Sequence, residues 1–302
     1  MLRLRSLIAL AIAVFLAAAC SFTRLAYMST SLAYENATPV LAWMAADYVD
    51  MSGDQKDWVR ERLTRAMAWH RAQELPEYRR FLEELLARAD DGITTDDARF
   101  VQTSVRAYYH RALDHIAPDI ADLLLQLDDD QVAQLERHFE KDNGKFVTES
   151  LKDTPEERHR RAARRYLEHI EEWVGDLSEA QRDIVFNRVA ELPEFSDDQL
   201  ADRRYRQTGI MALARAKPPR EKAIEEVRRL LVRTDSWRRP EYREKVRVRD
   251  ERVFAMFAEL GATLTPEQHG RLRERVRHFI RDVAELSASN QAPGRRLSAT
   301  GS

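Results

Sequence analysis

One short pattern recurs along the chain and constrains it more than any other. A hydroxyl or aspartate side chain is followed three residues later by glutamine at Ser52/Gln55, Asp128/Gln131, Ser178/Gln181, Ser196/Gln199 and Thr265/Gln268. This is the spacing of a capping box. The first side chain accepts from the backbone N–H three residues on, and the glutamine reaches back to the N–H of the cap. An apolar residue precedes every cap: Met51, Leu127, Leu177, Phe195 and Leu264. Thr154-Pro155-Glu156-Glu157 is a further box closed by glutamate. In four of the five glutamine copies apolar residues recur seven and eleven places after the cap. They are Val59 and Leu63, Leu135 and Phe139, Val185 (beside Ile184) and Val189, and Leu272 and Val276; the Ser196 copy has Arg203 and Gln207 instead. Two readings follow: a set of well-made helix starts, or one capped amphipathic helix used repeatedly through duplication.

Between these starts apolar residues recur every three or four positions, as at Leu123, Leu124 and Leu127, or Phe254, Phe257 and Leu260, and no segment alternates with period two. Only nine glycines occur in 302 residues, while a third of the chain is charged. That balance suits helices buried along one face. The expected fold is all-α: about ten helices packed as hairpins into one elongated or curved domain over residues 31–287. The expected spans are 31–50, 53–74, 76–90, 95–117, 118–127, 129–151, 155–174, 179–191, 197–235 (broken near Pro218-Pro219) and 240–286 (broken near 261–265). Pro76, Pro118, Pro155 and Pro266 suit first-turn positions, where a missing N–H costs little. Glu74-Leu75-Pro76-Glu77-Tyr78 and Glu191-Leu192-Pro193-Glu194-Phe195 resemble each other, and both read as corners between helices. Residues 288–302 are small and polar and read as a disordered tail.

The N-terminus has the layout of an export signal. Arg3 and Arg5 precede an apolar run from Leu7 to Ala19, 13 residues long. A spanning helix needs about 20. The run ends in three alanines, and Cys20, the only cysteine of the chain, follows Ala19 at once. Leu16-Ala17-Ala18-Ala19-Cys20 resembles a bacterial lipobox, with Ala17 where leucine is usual. That resemblance implies cleavage between Ala19 and Cys20 and acylation of the cysteine. The other reading is an ordinary signal that leaves Cys20 as a free thiol. Ser21 follows without an aspartate retention signal, which by the usual lipoprotein sorting rule implies the outer membrane and a domain facing the periplasm. Residues 20–30 would then form a short tether.

Removing residues 1–19 leaves 47 basic against 51 acidic side chains, a net charge of −4. Nothing in that balance drives the chain toward nucleic acid. One cysteine excludes an internal disulfide and any cysteine-rich metal site. The eight histidines include His110 and His115, five apart and therefore on different helix faces; His110 and Asp114, four apart, could meet. No cluster supplies the three or four ligands a metal needs, and no cofactor fingerprint occurs. Glu149-Ser150 matches a dipeptide of lytic transglycosylases without their surrounding motifs.

Two groups of residues stand out as candidate binding surfaces. Trp58 and Trp69 are eleven apart and share a helix face, within a segment holding three of the five tryptophans. They would form either core or an aromatic-lined concave surface. Arg160, Arg161, Arg164 and Arg165 continue the basic run that starts at Arg158-His159. They would either pair with neighbouring glutamates on a solvated face or dock an anionic envelope partner.

Leu177-Ser178-Glu179-Ala180-Gln181 and Leu264-Thr265-Pro266-Glu267-Gln268 resemble the L-T-x-x-Q motif of the Spy/CpxP periplasmic stress proteins, which implies helical hairpins that bind unfolded or signalling proteins. A longer resemblance runs through Tyr48-Val49-Asp50 with Gln55, Trp69-His70-Arg71 with Glu74-Leu75-Pro76, Asp142-Asn143 with Lys145-Phe146, Pro155-Glu156-Glu157-Arg158, and Trp173-Val174-Gly175 with Leu177 and Gln181. These resemble a proteobacterial family of helical lipoproteins known only as a domain of unknown function (6279). The resemblance implies lipidation and an all-helical fold, and brings no activity. The expected function is non-enzymatic binding of proteins or envelope components by a membrane-anchored lipoprotein, chaperone-like or as an adaptor. The alternatives are an enzyme acting on cell-wall glycan, with two carboxylates converging in a cleft, or a passive subunit of an envelope complex.

Overall fold

The computed structural model describes residue 34, residues 36–89 and residues 92–288. Cys20, the signal segment, the tether and the C-terminal tail beyond residue 288 lie outside them. Eleven α-helices occur among the described residues: α1 Ala37–Tyr48, α2 Gly53–Trp69, α3 Leu75–Arg88, α4 Thr95–Gln126, α5 Asp129–Ser150, α6 Pro155–Val174, α7 Glu179–Ala190, α8 Ser196–Ala216, α9 Arg220–Leu231, α10 Pro240–Gly261 and α11 Pro266–Ala288. The fold is all-α. α2 and α3 run into each other through a π turn at His70–Glu74, so they make one rod.

Capping starts the helices largely where the sequence puts them. Ser52, Asp128, Ser178 and Thr154 each accept from the N3 backbone N–H while the N3 side chain returns to the cap. Thr265 and Gln268 exchange the same two bonds at the start of α11. A further box, Thr94 with Asp97, opens α4; its short acidic partner hides it from a search for glutamine or glutamate. The Ser196 copy is not a cap. The cap position is Phe195, without a side-chain bond, and Ser196 is the first helical residue. Packing fixes this start instead, with the Phe195 ring against Tyr242 and under the Arg249 guanidinium.

The caps also meet in pairs. The side chains of Gln55 and Gln131 bond to each other at 3.2 and 2.7 Å, and Gln131 donates to the carbonyl of Asp50 at 2.9 Å. Gln181 and Gln268 pair likewise. Each pair clasps the loop ends of two helical hairpins.

Two expected boundaries do not exist. Pro118 lies inside α4, which runs unbroken from Thr95 to Gln126. The ring removes one backbone bond. Ala117 and Ala121 beside it are fully buried, so the packing of this stretch outweighs the lost bond and the helix continues through it. Residues 74–78 are not a corner either. The N–H of Leu75 bonds to the carbonyl of His70, five residues back, and this wider turn takes up the clash that Pro76 brings to the preceding turn. The matching 191–195 segment is a true corner: α7 ends at Ala190 and α8 starts at Ser196.

The main core gathers α1, α2, α4, α5, α8 and α9 around fully buried residues such as Ala117, Ala121, Leu135, Val227 and Leu230. A second joins α6, α7 and α10 around Val185, Val189 and Met256. A small third cluster packs Tyr34 and Leu75 on Val283 and Leu286 of α11. α4, ~48 Å long at 1.5 Å per residue, connects them. Its C-terminal half lies in the main core, and its N-terminal half faces α10.

Candidate functional site

The N-terminal half of α4 presents short side chains at Ala98, Val101 and Val105, three and four residues apart. Opposite it stand α6, α10 and α11. Side chains of this size do not fill the space between the helices. Two apolar cavities result, of about 460 and 420 Å³. They share Leu85, Val101 and Leu272 as wall residues. Packed interiors hold few voids larger than a water molecule, whereas pockets for small ligands run from about 300 to 1,000 Å³.

The larger cavity has charged residues in its wall. Arg88, Asp97, Arg249 and Asp250 line it beside Tyr166 and Phe254. Each carboxylate has a basic neighbour: Asp97 with Arg88 at 3.5 Å, Asp250 with Arg249. Burial works against the charge of Asp97, but bonds from Thr94 and Arg88 outweigh it and hold the carboxyl below its usual range. The smaller cavity is lined by apolar and aromatic side chains alone, among them Phe81, Tyr108, Trp173 and Phe279.

Behind the smaller cavity the π turn buries two polar side chains, His70 and Glu74, each 2% exposed. His70 meets the Tyr34 hydroxyl through Nδ1 at 2.8 Å and the Tyr78 hydroxyl through Nε2 at 3.2 Å. Burial lowers its pKa from 6.5 to about 4, so the ring is neutral. The same burial raises Tyr34 to about 12 and raises Tyr78 further. Glu74 receives a two-pronged bond from Arg111 of α4 at 3.0 and 2.8 Å. Tyr78 belongs to both places: its hydroxyl meets His70 and its ring walls the cavity.

The candidate surfaces expected from sequence are not brought together. Trp58 is half-buried against the main core with Arg62 over its ring at 4.9 Å, and Trp69 stacks on His115 at 3.8 Å. Both are packing residues of the rod. Arg161 pairs with Asp153, and Arg158 with Glu194 at 2.8 Å, so part of the basic run bridges α6 to its neighbours. Arg160, Arg164 and Arg165 are exposed on α6. Asp114 meets Arg228 of α9 at 2.8 Å. Among the described residues no group of histidine, cysteine and carboxylate side chains could hold a metal ion. The cavities escaped sequence reasoning because a void is a property of several helices at once. Only the 98/101/105 stripe of short residues hinted at it.

The motif residues of the longer resemblance take part in buried contacts. Tyr48 donates to Asp142 at 2.9 Å across α1 and α5, and Asn143 to Gln207 of α8 at 2.7 Å. Compared with known proteins, residues 47–243 match the model of a family of unknown function, DUF6279. No curated protein and no solved structure matches the chain.

Proposed function

The chain belongs to the DUF6279 family, and from that premise we propose that it is a lipoprotein, anchored through Cys20 to the outer membrane and facing the periplasm, that binds an envelope component without chemical conversion. The observation that carries this reading is the pair of adjoining apolar cavities between α3–α4 and α6, α10 and α11. They give a binding protein what it needs: concave apolar surface with a few polar groups among its walls. The exposed side chains of α1 support a place at the membrane. Val40 and Trp43 on this first helix are 52% and 71% exposed, and tryptophan favours the boundary between water and lipid. Among the described residues no helix is long and apolar enough to cross a membrane.

An enzyme acting on glycan would need one carboxyl held protonated as general acid. The two acidic residues at the larger cavity, Asp97 and Asp250, each sit against an arginine, and the carboxyl of Asp97 is held below its usual range. The geometry therefore favours binding.

The test is photocrosslinking in cells from probes at Val101 and Leu85, with Arg160 as the exposed control. The cavity probes are expected to capture an envelope molecule that the control does not. Identical products from all three positions would refute the reading. Palmitate labelling of wild type against Cys20→Ser tests the anchor, and equal labelling would exclude it.

A further inference from the structure

We propose that the two cavities together hold one long acyl chain, its polar head beside the charged wall residues of the larger cavity and its methyl end among the aromatic side chains of α3, α4 and α11. This rests on the binding reading above and names its ligand. Three features carry it. First, the cavities adjoin, with Leu85, Val101 and Leu272 as walls of both. A compact ligand would fill one of them, and only a long, thin one fills both. Second, the two cavities differ in polarity. Arg88, Asp97, Arg249 and Asp250 line the larger. The smaller has no charged wall residue, and the hydroxyls of Tyr78 and Tyr108 are engaged with His70 and the Glu77 carbonyl. An amphiphile is matched in that orientation and mismatched in reverse, because burying an unpaired polar head in apolar surroundings is costly.

Third, the chain leaves toward its anchor beside this site. Tyr34 packs on Leu75, Val283 and Leu286, with Tyr78 and Leu82 against the same cluster; Tyr78, Leu82 and Val283 also wall the smaller cavity. Cys20 lies 14 residues before Tyr34, at most ~50 Å of extended chain. An acyl chain could therefore come from a membrane amphiphile or from Cys20 itself. The chemistry recognised is the same.

The test uses the mature full chain with Cys20→Ser, titrated with saturated fatty acids from eight to eighteen carbons. The expected result is one site whose affinity rises up to about fourfold per added methylene and levels off once both cavities are filled. Val101→Phe at the junction should lose at least tenfold for the sixteen-carbon acid and keep the eight-carbon acid; Leu272→Phe is the second variant should the first fail to fold. A photoreactive group at the methyl end should label peptides containing Phe81 or Phe279. Acylated wild type distinguishes the sources: if Cys20 supplies the chain, wild type refuses added fatty acid that Cys20→Ser accepts, and if the membrane supplies it, both bind alike. Affinity independent of chain length, labelling by the methyl end at Arg88 or Arg249, or no binding of any acid would overturn the proposal. Each of these leaves the broader binding reading to the cell crosslinking, where a captured protein would still support it.

Discussion

Gln181 and Gln268 are bonded amide to amide, the Nε2 of each donating to the Oε1 of the other at 2.9 and 3.1 Å. Each oxygen also accepts from the cap N–H of its own helix, Ser178 at 3.0 Å and Thr265 at 2.9 Å. Each amide nitrogen gives its second hydrogen to a carbonyl two residues before the partner's cap, Thr263 or Asp176, both at 2.9 Å. Gln55 and Gln131 repeat the arrangement, with Asp50 and Gln126 as the carbonyls. One glutamine thus caps the start of its own helix and ties it to another, with no polar atom of the amide left over.

That closed network predicts strong coupling. Gln181→Ala or Gln268→Ala should each destabilise by about 1–3 kcal/mol, because the surviving amide is buried without its partner. The double variant should cost clearly less than the two singles together. Urea unfolding of all four proteins checks this. Additivity within about 0.5 kcal/mol would mean that the pair is not a unit.

His70 predicts an acid-sensitive fold. Its pKa falls from 6.5 in the unfolded chain to about 4 in the folded one because burial disfavours the charged ring. The native state then binds fewer protons than the unfolded state between these values, so stability drops as pH falls from about 6.5 to about 4 and the His70 contribution levels off below that. The loss from this group is about 3 kcal/mol. A His70→Gln variant should show a flatter stability profile over this window, and an unchanged slope would exclude His70 as the cause.

Gly209 predicts a tight helix contact. A Cβ there would lie 2.7 and 2.8 Å from the two terminal methyls of Leu230. Leu230 is fully buried and has nowhere to move. Gly209→Ala should destabilise by about 1–3 kcal/mol, despite the gain in helix propensity. Combining it with Leu230→Val should recover part of the loss in thermal unfolding. No recovery would place the strain elsewhere.

Trp43 predicts a membrane contact without a role in folding. Trp43→Ser should leave unfolding within about 0.5 kcal/mol of wild type, as exposed positions do. In cosedimentation with phospholipid vesicles, the mature chain carrying Cys20→Ser should bind about tenfold more weakly after the change, from the lost burial of one large aromatic side chain. Equal cosedimentation would argue against this face.

What the sequence determined is local. Capping side chains, prolines at first turns and apolar residues at three- and four-residue spacing act within a single turn or two, so Ser52, Asp128, Thr154, Ser178 and Thr265 start helices where their neighbours alone require it. Where a longer-range force competes, local signals fail: Ser196 loses its cap to the packing of Phe195, and Pro118 and Pro76 are absorbed by buried Ala117 and Ala121 and by a π turn. The binding region is further still from sequence. Trp58, Trp69 and the arginines of α6 stand out by composition but are scattered or packed in the fold, while Leu85, Val101 and Leu272 are ordinary residues on α3, α4 and α11. A cavity is the space their side chains leave between helices brought together by long-range packing, and no single stretch of chain encodes it.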